Sequence, residues 1–316
     1  MRFPGLGPVL SAVVTALTLT GVAAVPAHAG PVARSATPET TETTEFTTTV
    51  HGDAADVYAP APAKIHHDLP VALLLQGADV DKSRYSAFAR AVASYGFAVV
   101  VPNHSRVVFG QAGLFAEEAQ ASWTAAWMQQ EDIRAGSPLR GRIDTASLVL
   151  LGHSFGGAAG LTLTTGACVP PFCGEPATAP AQLKAAAFYG TNNTPPGGTG
   201  SPPVPNAVPV ALVQGTADGV ASPASAEGTY DALLNPPKML VSVTGANHYG
   251  LTDIQNPPGA RPDPVPQTVA QDRSVKAAAR WSAMFLRTAL GDHWSAVWLY
   301  GVGDSVDGDV TVEYVK

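Results

Sequence analysis

The stretch Gly152, His153, Ser154, Phe155, Gly156 sets a serine between glycines where the apolar run Leu148–Leu151 stops and small, apolar residues resume. A turn that only reverses the chain typically pairs Gly with Asn, Asp or Pro. A hydroxyl at such an apex has the chemistry of a nucleophile, provided that a base takes its proton and a buried carboxylate orients the base. Two later segments supply those groups. "VALVQGTADG" delivers Asp218 and "LVSVTGANHYG" delivers His248, each directly after an apolar run. Taken alone, Asp218 could cap an Asp-Gly turn and His248 could be a hydrogen-bonded loop histidine. Their joint position and their order after Ser154 favour an acid and a base.

The glycines around Ser154 have a physical reason. A strand-to-helix turn this sharp forces the serine into a strained backbone, and neighbouring side chains would collide there. The hydroxyl then stands at a helix N-terminus, where backbone N–H groups favour an anion. Attack on a carbonyl also needs two donors for the developing oxyanion. The N–H of Phe155 is one expectation. The other is the N–H of Ala78 in "LLLQGADVD", where Gly77 permits close backbone approach. The carboxylate of Asp79 would oppose an oxyanion, so the backbone of Ala78 is preferred. His153, beside the nucleophile in sequence, should point away from the reacting face. His104 falls near the same sheet edge, as a pocket or polar loop residue. Asp253 is the rival acid. No grouping of His, Asp and Glu has metal-ligand spacing, and no metal or cofactor is expected.

These residues need a frame that carries them to one edge. From Leu69 the chain alternates apolar runs with helical patterns. "LPVALLLQG", "FAVVVPNH", "SLVLLGHS", "KAAAFYG", "VPVALVQG" and "KMLVSVTG" read as strands. "SRYSAFARAVASYG" reads as a helix capped by Ser83 and Gly96, "FAEEAQASWTAAWMQQEDI" as another, and "FGGAAGLTLTTG" as a third. A helical stretch near Ala224–Leu234 and a long one through "DRSVKAAARWSAMFLRTALG" follow. Continuous apolar strands separated by helices predict an α/β fold, a mostly parallel central sheet with helices on both faces. "FTTTV" and "ADVYAPA" are expected as antiparallel edge strands. Sites in such sheets lie at the carboxyl ends of the strands, where all three residues fall.

The chain has 316 residues, 46% hydrophobic and 14% charged, which excludes a disordered protein. A net charge of −7 without a basic cluster argues against nucleic acid or anionic lipid as partners. Residues 1–29 read as a signal peptide: Arg2, the apolar run Val9–Ala24, and Ala27-x-Ala29 before Gly30. Residues 30–45, rich in Thr, Glu and Pro, read as a flexible lead-in, and residues 46–316 as the folded domain. The expectation is a secreted, extracellular protein without a stable membrane anchor. Outside the cytoplasm the close pair Cys168 and Cys173 in "ACVPPFCGEP" is expected to be disulfide-bonded.

The quoted motifs resemble the α/β-hydrolase superfamily. Within it they are similar to the chlorophyllase-like, dienelactone-hydrolase-like and bacterial polyester-hydrolase or cutinase-type branch, over roughly residues 69–290. "GHSFGG" and "GANHYG" match the nucleophile and histidine motifs of that branch. "QGADVDKSRYSAFARAVASYGFAVVVPNHS" is similar to its oxyanion turn, helix and next strand. The resemblance implies the α/β-hydrolase fold and a cofactor-free Ser-His-Asp hydrolase that cleaves small-molecule or polymeric esters through an acyl-enzyme. Polyester hydrolases of the branch carry an aromatic residue where Ala78 stands, a tryptophan after the strand "AAAFYGTNN", and commonly Met where Phe155 stands. These departures point to a general carboxylesterase or lipase-like enzyme rather than an efficient aromatic-polyester hydrolase. Two other classes stay open on sequence: an acyltransferase with the same triad, and a non-catalytic secreted binding protein on a hydrolase scaffold.

Overall fold

The structure, a computed structural model, describes residues 42–62, 68–174, 178–195, 197, 198 and 200–316. The expected signal peptide and most of the lead-in lie outside these residues. The described residues belong to one compact unit, Ala36–Lys316.

Among the described residues eleven strands are formed: β1 (Thr43–Val50), β2 (Asp53–Pro60), β3 (Leu69–Leu75), β4 (Ala98–Pro102), β5 (Ser105–Val108), β6 (Gln111–Leu114), β7 (Ile143–His153), β8 (Leu183–Tyr189), β9 (Val210–Gly215), β10 (Lys238–Val243) and β11 (Val310–Val315). Nine of them build one sheet in the order β1-β2-β4-β3-β7-β8-β9-β10-β11. β4, β3, β7, β8, β9 and β10 run parallel to one another. β1, β2 and β11 join by antiparallel pairing. The mostly parallel sheet and the helices described next make this an α/β-hydrolase fold.

The β-strand period of two sends successive side chains to opposite faces, and the parallel strands are apolar on both. On β3, Ala72 and Leu74 face one core with Phe88, Trp281 and Phe285. Leu73 and Leu75 face the other, with Met128, Leu161 and Leu163. The first core is covered by α1 (Ser86–Ala93) and α5 (Gln271–Ala289). The second is covered by α2 (Ala119–Ile133), α3 (Phe155–Thr165) and α4 (Pro223–Ala232). Each fully buried Leu or Phe contributes about 1.5–3 kcal/mol, so the two cores hold the sheet rigid beneath the loops that carry the polar residues.

Four details differ from the sequence reading. β2 pairs with β4 as well as β1, so only β1 is an edge strand on that side. A 3-10 turn, Lys82–Tyr85, precedes α1, and its cap is Asp81, which accepts the Ser83 N–H at 2.9 Å. α2 starts at Ala119 rather than Phe115, because the Glu118 N–H is turned to the carbonyl of Phe172. Short helical turns after α5 lead to β11, and Trp281 secures them by donating its indole N–H to Asp307 at 2.9 Å.

β5 and β6 form a separate two-stranded ribbon beside the loop after β3. Asp79 holds it there. Its N–H donates to the Leu114 carbonyl at 2.8 Å, and its carboxylate accepts the Leu114 N–H at 3.0 Å.

Candidate active site

β7 ends at His153 and α3 begins at Phe155, so Ser154 alone makes the turn between them. Its φ of 52° lies in the left-handed region that non-glycine residues avoid. Packing imposes that conformation. A Cβ on Gly156 would run into the carbonyls of Leu75 and Gln76, and one on Gly152 would come within 2.8 Å of the Gly157 Cα. Only glycines at these positions let α3 lie this close to β3 and β7. The Ser154 N–H donates to the Tyr189 carbonyl at 2.9 Å, and the Ser154 carbonyl accepts from the hydroxyl of Thr191 at 3.0 Å.

The hydroxyl of Ser154 lies 2.8 Å from Nε2 of His248. Nδ1 of His248 lies 2.9 Å from Oδ2 of Asp218. Both partners of the serine are buried. Asp218 cannot swing away. Its Oδ1 accepts the N–H groups of Val220 and Ala221 at 2.9 and 2.7 Å, and its Oδ2 accepts from the Gln214 amide at 3.1 Å. Gly190, with φ +58°, passes beside the pair: a Cβ there would sit 3.0 Å from His248 Nδ1 and 3.2 Å from Asp218 Oδ2.

Ser154 and His248 open into a cavity of about 340 Å³. Ala78 and Phe155 line it, and neither of their N–H groups has an acceptor among the described residues. The Asp79 carboxylate is turned to the ribbon, bonded to Leu114. One wall is aromatic: Phe155 meets Phe115 edge-on at 5.3 Å and Phe172 at a tilt at 5.0 Å. Phe172 belongs to the loop closed by the disulfide Cys168–Cys173, whose Cα atoms are 5.5 Å apart. That loop is also held by Arg106, which donates to the Pro171 carbonyl and pairs with Glu117 at 2.7 Å.

The other residues weighed in the sequence have different places. Asp253 caps α1, accepting from the Ser86 hydroxyl at 2.6 Å and the Ala87 N–H at 2.9 Å, and it does not reach His248. His104 is buried away from the cavity, between Asp53 at 2.9 Å and Glu117 at 3.1 Å. Burial works against its charged form, but hydrogen bonds and charge from Glu117 and Asp53 outweigh it and raise its pKa. The same pairing with His104 holds Glu117 below the usual carboxylate range. His153 points into the core. Its Nε2–H donates to the His248 carbonyl at 2.9 Å, so its Nδ1 is the acceptor for the Tyr85 hydroxyl at 3.0 Å. Burial, reinforced by His248, pushes the His153 pKa well down and keeps it neutral.

Gly190, Tyr85 and Asp263 escaped the sequence reading. Gly190 had a signal, since it directly follows the strand "KAAAFY"; Asp263, in the proline-rich "PPGARPDPVPQ", had none. Among the described residues no group of three or more His, Cys, Asp or Glu is placed to hold a metal ion, and no helix is long and apolar enough to cross a membrane.

Residues 38–172 match the sequence model of the family described as Chlorophyllase, a family within the α/β-hydrolase superfamily. The matched stretch contains Ser154, whereas Asp218 and His248 lie beyond it. No curated protein matches the chain.

Proposed function

We propose that this chain, an α/β-hydrolase of the chlorophyllase-like branch, is a carboxylic ester hydrolase that works through Ser154, His248 and Asp218. The observation that carries the reading is the continuous line from Ser154 Oγ to His248 Nε2, 2.8 Å, and from His248 Nδ1 to Asp218 Oδ2, 2.9 Å. Distances of about 2.6–3.2 Å are those a nucleophile, its base and the orienting acid need.

In this reading an ester enters with its acyl part against Phe155 and Phe172. Ser154 Oγ attacks the carbonyl carbon as His248 Nε2 takes its proton. The negative charge that grows on the carbonyl oxygen is met by the N–H of Phe155, at the N-terminus of α3, and by the N–H of Ala78, in the loop after β3. Asp218 holds the imidazole in the right tautomer and stabilises the imidazolium. His248 then gives the proton to the departing alcohol, leaving Ser154 acylated. Water attacks the acyl-enzyme with its proton going to His248, and collapse of the second tetrahedral intermediate returns that proton to Ser154.

The protein is proposed to act after export. The disulfide Cys168–Cys173 supports this. A panel of p-nitrophenyl esters of increasing acyl length tests the activity. The expected result is steady hydrolysis after a burst of p-nitrophenol. Product analysis with added alcohol should give mainly free acid; predominant transfer to the alcohol would instead make the protein an acyltransferase.

A further inference from the structure

The backbone of His248 is held on both sides by side chains outside the triad. Its N–H donates to Oδ2 of Asp263 at 2.8 Å. Its carbonyl accepts Nε2–H of His153 at 2.9 Å. Both side chains are buried. Each also reaches a second part of the site. Asp263 accepts the N–H of Gly219, the residue after Asp218, at 3.2 Å on both oxygens, and the N–H of Val265 at 2.8 Å. His153 accepts from Tyr85, whose oxygen in turn accepts the N–H of Gly77, the residue before Ala78, at 2.9 Å. One carboxylate thus spans base and acid loops, and one imidazole spans base and oxyanion loops.

Two glycines fit this arrangement. A Cβ on Gly219 would sit 2.7 Å from Asp263 Oδ1, and a Cβ on Gly77 would sit 2.7 Å from His153 Nδ1. Side chains at either position would drive the clamping group off its partner. His248 lies in a loop beyond β10, where sheet hydrogen bonds no longer fix the chain, so its imidazole direction depends on what grips its peptides.

We propose that Asp263 and His153 are positioning residues that grip the backbone of His248 from opposite sides and so set the base against Asp218 and the oxyanion loop. The proposal rests on His248 being the base. A displacement of the base of about 1 Å costs on the order of 100-fold in rate. Asp263 makes no contact with the imidazole nitrogens, so its effect passes through the peptide of His248.

The test compares Asp263→Ala, Asp263→Asn, His153→Leu and His153→Gln in the otherwise wild-type protein and in a His248→Ala background, with p-nitrophenyl acetate as substrate. With His248 present, Asp263→Ala and His153→Leu should lower kcat by roughly 100-fold with KM changed by less than about threefold. Asp263→Asn, which keeps one acceptor oxygen, and His153→Gln, which keeps a donor and an acceptor, should recover much of the loss. In the His248→Ala background the same substitutions should lower the residual rate by less than about twofold, because the group they position is gone. Equal losses in both backgrounds, or a wild-type kcat in folded Asp263→Ala, would overturn the proposal. Where Ala or Leu yields no folded protein, Asp263→Ser, too short to reach the His248 N–H, and His153→Met, which fills the space without a donor, carry the same comparison. A His248→Ala protein as active as wild type would instead contradict the assignment of the base.

Discussion

Phe172 packs on Phe155 at 5.0 Å, and the next residue, Cys173, closes the disulfide to Cys168. The covalent link therefore fixes one aromatic wall of the cavity beside the nucleophile. A loop this short is worth about 2 kcal/mol in the chain-entropy view, so its larger effect should fall on the wall. Replacing both cysteines by serine should raise KM for longer acyl chains by roughly three- to tenfold while leaving kcat for acetate esters nearly unchanged, the pattern of lost uniform binding. Steady-state kinetics across the ester panel measures this. Identical KM values at every chain length would separate the disulfide from substrate binding.

Gly190→Ala tests how tightly the acid and base are seated. The residue has φ +58°, and its added methyl would stand 3.0 Å from His248 Nδ1. Backbone strain of about 1–3 kcal/mol and displacement of the His248–Asp218 pair act together. The expected outcome is a folded protein with kcat reduced on the order of 100-fold. An active Gly190→Ala enzyme would show that the pair tolerates movement.

Asp218 and Asp253 are separated by a comparison of Asn variants. Asp218→Asn should lower kcat by about 10⁴-fold through the wrong imidazole tautomer. Asp253→Asn loses only part of the cap on α1 and should cost about 1 kcal/mol of stability with near-normal kcat. The reverse pattern would move the acid to Asp253.

Stability should depend on pH through His104, Glu117 and His153, with opposite signs. The raised pKa of His104 makes its contribution fully present below the unfolded value of about 6.5 and lost as pH rises through its folded value. The lowered pKa of Glu117 makes its contribution present above its unfolded value and lost as pH falls through its folded value. His153 stays neutral in the fold, so below about pH 6.5 the unfolded chain binds a proton that the native state refuses, and stability falls. His153→Gln should therefore flatten the decline in Tm as pH falls below about 6.5, and His104→Gln should flatten the decline as pH rises above about 6.5, both within about pH 5–8. Thermal melts across that range check both slopes; parallel curves for all three proteins would contradict these assignments.

The sequence exposed what local pattern can carry. Ser154, Asp218 and His248 each follow an apolar run, and the period of these runs sets the parallel sheet that delivers them to one edge. The ribbon β5–β6 was not legible, because "SRVVFGQAGL" has no strong alternation and depends on Asp79 and the Arg106–Glu117 pair for its position. β11 was missed beyond the terminal helix, since its place comes from pairing with β10 far back in the chain. Asp263 sits among prolines, and nothing nearby in sequence announces that it meets the His248 N–H 15 residues away. Such contacts arise from the packing of loops.

The central claim, that Ser154 is the nucleophile of an ester hydrolase, is tested most directly by fluorophosphonate labelling read by intact-mass and peptide analysis, beside hydrolysis by Ser154→Ala. The account predicts a single adduct on Ser154 with complete loss of activity. It also predicts no adduct and a rate reduced by roughly 10⁶-fold in a Ser154→Ala protein with the native circular dichroism spectrum. Substantial ester hydrolysis by that folded variant, or an adduct on another residue, would contradict it.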